Sequence, residues 1–179
     1  MFSKILIPLD GSELAEAILP EAETLAKDFG AEVILLRAHA LHSAPYLGES
    51  PYAMAEITHF EMEADRNYLD GIANRLRARG LVVKTIQNQG RAADVILDTA
   101  EAVKADLIAM TTHGRSGVGR WLMGSVADAV IHAAKVPVLL SRGLVRESAQ
   151  PEKVSQPQPA PLIPPVTLGL ALNVLNRAQ

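Results

Sequence analysis

LIAMTTHGRSGVGRWLMGS, residues 107–125, runs from four apolar positions into a stretch whose last fourteen residues hold four glycines, two arginines and two serines. An apolar run this short, ended by glycines, reads as a strand buried on both faces that turns into a helix. Four more such runs recur along the chain, at Ile5–Leu9, Val33–Leu36, Leu81–Ile86 and Val136–Leu140, separated by longer segments of helical periodicity. Strands alternating with helices predict an α/β fold with a parallel sheet covered on both faces.

The runs also suggest their order. Val33–Leu36 and Leu107–Met110 are uniformly apolar, whereas Leu81–Gln87 includes Lys84, Thr85 and Gln87 and reads as an edge. Pro137 lies in the fifth run, and a proline cannot donate to a ladder, which makes that strand the other edge. Right-handed crossovers then give an open five-stranded sheet of order 3-2-1-4-5, a half-Rossmann arrangement.

Between the strands, Leu14, Ile18, Ala22, Leu25 and Phe29 recur at spacings of three and four, with Ser12 as N-cap and Gly30 as terminator. Pro20 conflicts with that helix and predicts a late start or a kink. A second helix is expected over Met54–Arg79, burying Ile57, Ala64, Tyr68, Ile72 and Leu76 and stopped by Gly80. A third fits Ala92–Lys104. The fourth fits Val126–Ala134, with Ser125 and Asp128 read as a capping box.

At 179 residues the chain suits one ordinary domain. A formal net charge of -3 argues against nucleic acid as a partner. The absence of cysteine excludes disulfides and thiolate chemistry. Pro8 and Asp10 interrupt the first apolar run too early for a secretory h-region, and no run approaches the ~20 apolar residues of a membrane span, so a cytoplasmic protein without membrane attachment is expected. Six of the eleven prolines fall between Pro151 and Pro165. The expected organisation is therefore a domain over 1–142, a disordered proline-rich linker over 143–165, and a C-terminal segment over 166–179. In that last segment Leu168, Ala171, Leu172 and Leu175 share one helical face, suited to docking or to a protein partner. The long loop over 39–53 has no assigned role.

In a 3-2-1-4-5 sheet, ligands settle where the order reverses, between strands one and four. Pro8-Leu9-Asp10-Gly11-Ser12 leaves the first strand there, and the glycine stretch leaves the fourth. Gly114, Gly117 and Gly119 can turn backbone N–H groups toward a ligand, and Gly124-Ser125 opens a helix whose unpaired amides favour an anion. Asp10 repels phosphate but accepts hydrogen bonds from a ribose hydroxyl or an adenine amine. A nucleotide satisfies both halves. The competing reading is a glycine-rich loop that binds nothing. There is no G-x-x-x-x-G-K-[ST], and the glycines do not follow a first strand as the dinucleotide fingerprint requires.

At these residues the sequence resembles the universal stress protein family, over about residues 2–142, from Lys-Ile-Leu-Ile-Pro-Leu-Asp-Gly-Ser to Val-Pro-Val-Leu-Leu. ATP-binding members carry G-x2-G-x9-G-[ST] after the fourth strand. Gly114, Gly124 and Ser125 match it, and Thr111 occupies the position of its first glycine. The resemblance implies ATP, or alternatively AMP or ADP, with Mg2+ as a candidate companion ion. It puts Asp10 and Ala38 near the adenosine and Met110 beside the base, with Pro8 among the nucleotide-binding residues. Thr111, His113 and Gly114 fall along the phosphate loop, and Gly124, Ser125 and Val126 at the phosphate-facing helix start. It also implies a homodimer through the fifth strand, for which Val136, Val138 and Leu140 are available.

Turnover would need a carboxylate or histidine to orient water and an anchor for a metal. The loop offers no acid between Thr111 and Val126, so at most a slow ATPase is expected and no catalytic residue is assigned. A metal site from His39, His42 and His59 lacks ligand spacing. The expectation is a nucleotide-dependent switch in stress response or signalling. The alternative is a dimeric interaction module of the same fold that does not bind nucleotide.

Overall fold

The computed structural model describes residues 1–39, 51–112 and 124–142. Within them, β1 (Lys4–Pro8), β2 (Glu32–His39), β3 (Val83–Gln89), β4 (Leu107–Thr111) and β5 (Val138–Ser141) form one sheet of order β3-β2-β1-β4-β5, parallel throughout. The expected strand order and its two edges are what the fold contains. The sheet divides two cores by strict alternation. Ile5, Ile7, Val33, Leu35, Leu107 and Ala109 face one side, and Leu6, Ile34, Leu36, Ile108 and Met110 face the other. That is why the central strands are apolar at every position.

The strand bounds differ from the apolar runs for backbone reasons. β2 continues past Leu36 because Arg37, Ala38 and His39 stay in register with Gln87, Asn88 and Gln89 of β3, and a ladder needs no apolar side chain. β3 starts at Val83 because Leu81 still belongs to the preceding helix terminus, its N–H donating to the Leu76 carbonyl across Gly80 at φ +88°. Pro137 precedes β5, where its carbonyl accepts from the Ile108 N–H at 3.0 Å.

The conflict at Pro20 is resolved by a break. The first helical segment is two helices, α1 (Glu13–Glu16), capped by the Ser12 side chain, and α2 (Leu19–Phe29), with Pro20 in the first turn, where its missing N–H costs nothing. α3 (Pro51–Arg77) buries Leu69, Ile72, Ala73 and Leu76 with Tyr68 half-buried, but Ala64 is exposed, contrary to expectation. The position that turns inward there is Asp65. α4 (Ala92–Val103) and α5 (Ser125–Ala133) cover the opposite face. Ser125 is the first helical residue and not the cap expected for it. Gly124 holds the cap position at φ -61°, ψ 144°, its carbonyl accepting from the Asp128 N–H at 2.9 Å, and no side chain caps the helix.

Most of the 39–53 loop, the loop over 113–123 with His113 and Gly114, and the proline-rich and C-terminal segments lie outside the described residues.

Candidate functional site

The carboxyl ends of β1 and β4 meet at the reversal of strand order, and the chain leaves β1 there through a locally fixed turn. Leu9 keeps the ladder by donating to the Leu36 carbonyl at 2.8 Å, and Gly11 then adopts φ +81°. Asp10 Oδ1 accepts from the Ser12 N–H at 3.0 Å and from its hydroxyl at 2.6 Å, while the same Ser12 Oγ accepts from the Ala15 N–H at 3.1 Å. One short relay thus ties the Asp10 carboxylate to the start of α1 and holds it in a single orientation.

The opposite wall comes from β4 and α5. Met110 and Thr111 are buried at 7% and 6% exposure. Thr112 donates to the Ser141 carbonyl at 2.9 Å, and the Thr112 carbonyl accepts from Gly124 at 2.7 Å, so both ends of the intervening loop are pinned together. That places the uncapped first turn of α5 against the end of β4. Ala38 of β2 and Ala92 and Ile96 of α4 close the floor.

These walls enclose a cleft of about 250 Å³, close to the lower limit of about 300 Å³ usual for small-molecule sites. Of the residues singled out in the sequence, Pro8, Asp10, Ala38, Met110, Thr111, Gly124, Ser125 and Val126 all line it. Leu9, Ala15, Ala92, Ile96, Thr112 and Ala127 line it as well and were not singled out. Small residues on a helix carry no local sign of facing a ligand, whereas Leu9 and Thr112 each adjoin a residue that was named.

A second group of side chains lies beneath the β1 turn, and of these only His39 was named in the sequence, as a metal candidate without ligand spacing. Arg37 Nε is 2.9 Å from Asp65 Oδ1, His39 Nδ1 is 3.2 Å from Asp65 Oδ2, and His39 Nε2 is 3.2 Å from Glu61 Oε2. A signal for them was present. Period-two alternation puts Arg37 and His39 on the buried face of Val33 and Leu35, where charges require partners. Nearby, burial and the adjacent Glu16 carboxylate push the Tyr68 hydroxyl well above the ordinary phenol range. His59 is exposed, and among the described residues no group of three or more His, Asp or Glu side chains is arranged to hold a metal ion. None of the described helices is long and apolar enough to cross a membrane.

Residues 1–142 match the sequence profile of the universal stress protein family. The chain belongs to the universal stress protein family. A family member from Methanocaldococcus jannaschii is 34% identical over 141 residues, 78% of this chain and 82% of that protein. Among solved structures, M. jannaschii MJ0577, also named a universal stress protein, superimposes with a TM-score of 0.71 at 31% identity, covering 78% of this chain and 95% of that one. A more distant family protein from Arabidopsis thaliana, solved with AMP bound, shares the fold at a TM-score of 0.56 and 17% identity, over 77% and 90% of the two chains. The family resemblance drawn from the Asp-Gly-Ser turn and the glycine loop is therefore correct, as is the universal stress protein fold.

Proposed function

We propose that this protein binds an adenine nucleotide in the cleft between β1 and β4 and acts as a nucleotide-dependent switch in stress response or signalling. The observation that carries the reading is the convergence on one cleft of Asp10, Ala38, Met110, Gly124, Ser125 and Val126, which are far apart in sequence. Small and apolar side chains on β2, β4 and α4 suit a flat base, and the fixed Asp10 carboxylate is an acceptor suited to ribose hydroxyls. The open N-terminal turn of α5 suits phosphate, joined in this reading by His113 and Gly114 of the intervening loop. The ligand class agrees with the AMP seen in the Arabidopsis relative. ATP is the assigned nucleotide, with AMP and ADP as alternatives, and Ser125 is the hydroxyl a Mg2+ accompanying the phosphates would meet.

Binding, with at most slow hydrolysis, is the reading because Asp10 is the cleft's one carboxylate among the described residues and stands on the nucleoside side. Two or three charge-assisted hydrogen bonds of ~1.5–3 kcal/mol each, with a helix terminus of ~0.3–1 kcal/mol, leave micromolar affinity after ordering costs. The decisive experiment is mass spectrometry of small molecules released from the purified full chain, followed by calorimetry of stripped protein with ATP and AMP. Stoichiometric adenine nucleotide or a micromolar Kd is expected, and Gly124→Val, which puts a branched side chain into the wall, abolishes either. The buried Thr111, at a position where the family's ATP-binding pattern has glycine, favours the second reading, a dimeric interaction module. No heat at millimolar ligand selects that reading. In both, the edge strand β5, with half-buried Val138 and Leu140 in it and half-buried Val136 just before it, is the proposed homodimer surface, tested by light scattering.

A further inference from the structure

The Arg37 guanidinium supports the turn that carries Asp10 from below. Its Nη1 donates to the Leu9 carbonyl at 3.4 Å, and a Cβ placed on Gly11 would come within 3.3 Å of the same nitrogen. The turn therefore rests directly on the guanidinium plane, and only a glycine at φ +81° lets it come that low. Arg37 is itself held from α3. Its Nε lies 2.9 Å from Asp65 Oδ1 as an ion pair, without the alignment of a hydrogen bond, and its Cζ lies 5.9 Å from the Tyr68 ring centroid. The second Asp65 oxygen is occupied by His39, 3.2 Å away, so the carboxylate is fixed at both ends. The guanidinium is largely buried, at 12% side-chain exposure, where such contacts are directional and weakly screened. Ala38, the next residue along β2, lines the cleft.

We propose that Arg37 is a positioning residue of the cleft, setting the height of the Leu9–Gly11 turn and hence the location of the Asp10 carboxylate. Asp65 acts through it, which makes the seating of α3 a control on ligand affinity. The effect on affinity rests on the nucleotide reading above, whereas the effect on the turn does not. A long, planar cation is required because one group must pair in charge with a carboxylate on one side and donate to a carbonyl on the other.

The test uses the 15N-labelled full chain, with the amide resonances of Gly11 and Ser12 as the first readout and AMP calorimetry as the second. Arg37→Met is expected to displace both amides while leaving Ala100 of α4 unmoved, and to weaken AMP about tenfold, the loss of one well-placed contact. Asp65→Asn moves the same amides less, and the double variant is no worse than Arg37→Met alone, because both act on one contact. Arg37→Lys, charged but not planar, falls between Arg37→Met and wild type. Unmoved Gly11 and Ser12 amides, or additive effects of the two substitutions, would overturn the proposal. If Arg37→Met does not fold, Asp65→Asn and Arg37→Lys decide it by the same resonances. If the wild type binds no AMP, the nucleotide reading fails, and the amide shifts alone decide whether Arg37 holds the turn.

Discussion

From Leu69 to Leu76, α3 sits on the sheet through four buried apolar side chains, whereas from Glu61 to Asp65 the same helix meets the sheet through ions and amides. Gln87 donates to the Met62 carbonyl at 3.0 Å and Gln89 to its sulfur at 3.5 Å, while His39 and Arg37 engage Glu61 and Asp65. Phe60, at 73% exposure, contributes little to that seating. Apolar packing is non-directional and roughly proportional to area, so it anchors a helix without fixing fine detail. Polar tethers contribute less net stability but demand particular geometry, and in α3 they are found where Arg37 meets the β1 turn.

The sharpest way to break this contrast is truncation on each half. Leu69→Ala, at a fully buried site, is expected to cost about 2–5 kcal/mol in denaturant unfolding, and Phe60→Ala no more than ~0.5 kcal/mol. Equal effects would mean that the two halves are packed alike. Next in size, Gln87→Ala removes one tether and should cost about 0.5–1.5 kcal/mol. Native-state hydrogen exchange sharpens the same point without mutation, since amides around 58–64 should open at lower free energy than those of 69–76.

The smallest effect belongs to the surface pairs joining α2 to the end of α3. Hydrogen bonds from Lys27 and then Arg79 hold the Glu23 carboxyl below the usual carboxylate range. A depressed carboxyl contributes stability above its unfolded pKa and loses it as pH falls through the folded value. Glu23→Gln should therefore flatten the acid limb of the stability curve slightly, in low salt and not in high salt.

What the sequence revealed follows the same division. Strand order was legible because Lys84, Thr85 and Gln87 mark one edge and Pro137 the other, and the buried stripe of α3 was legible where it is apolar, at Ile72 and Leu76. It went wrong at Ala64 because the sheet there presents Arg37 and His39, which call for a carboxylate at position 65 and not a methyl group at 64. Pairing between distant charges has no local period to read. The cleft residues were legible where backbone chemistry demands a residue type, at Asp10, Gly124 and Ser125. The cap at α5 was misread because a glycine can hold the N-cap conformation as well as a serine, and the pinning of Gly124 to Thr112 is a tertiary contact.

The Asp106 carboxylate accepts from the Ser3 N–H at 2.8 Å and the Ser3 hydroxyl at 2.7 Å across 103 positions of sequence, where β1 and β4 share only the pairs Ile5↔Leu107 and Leu6↔Ile108. The two walls of the cleft are thus joined by one of the longest loop closures in the sheet, the kind of pairing that forms slowly. During synthesis, β1, β2 and β3 can assemble with a single wall of the cleft while the chain is still short of residue 107. Under the nucleotide reading proposed above, ligand capture would report a finished sheet, because one wall of the cleft alone holds neither Thr111 nor Gly124.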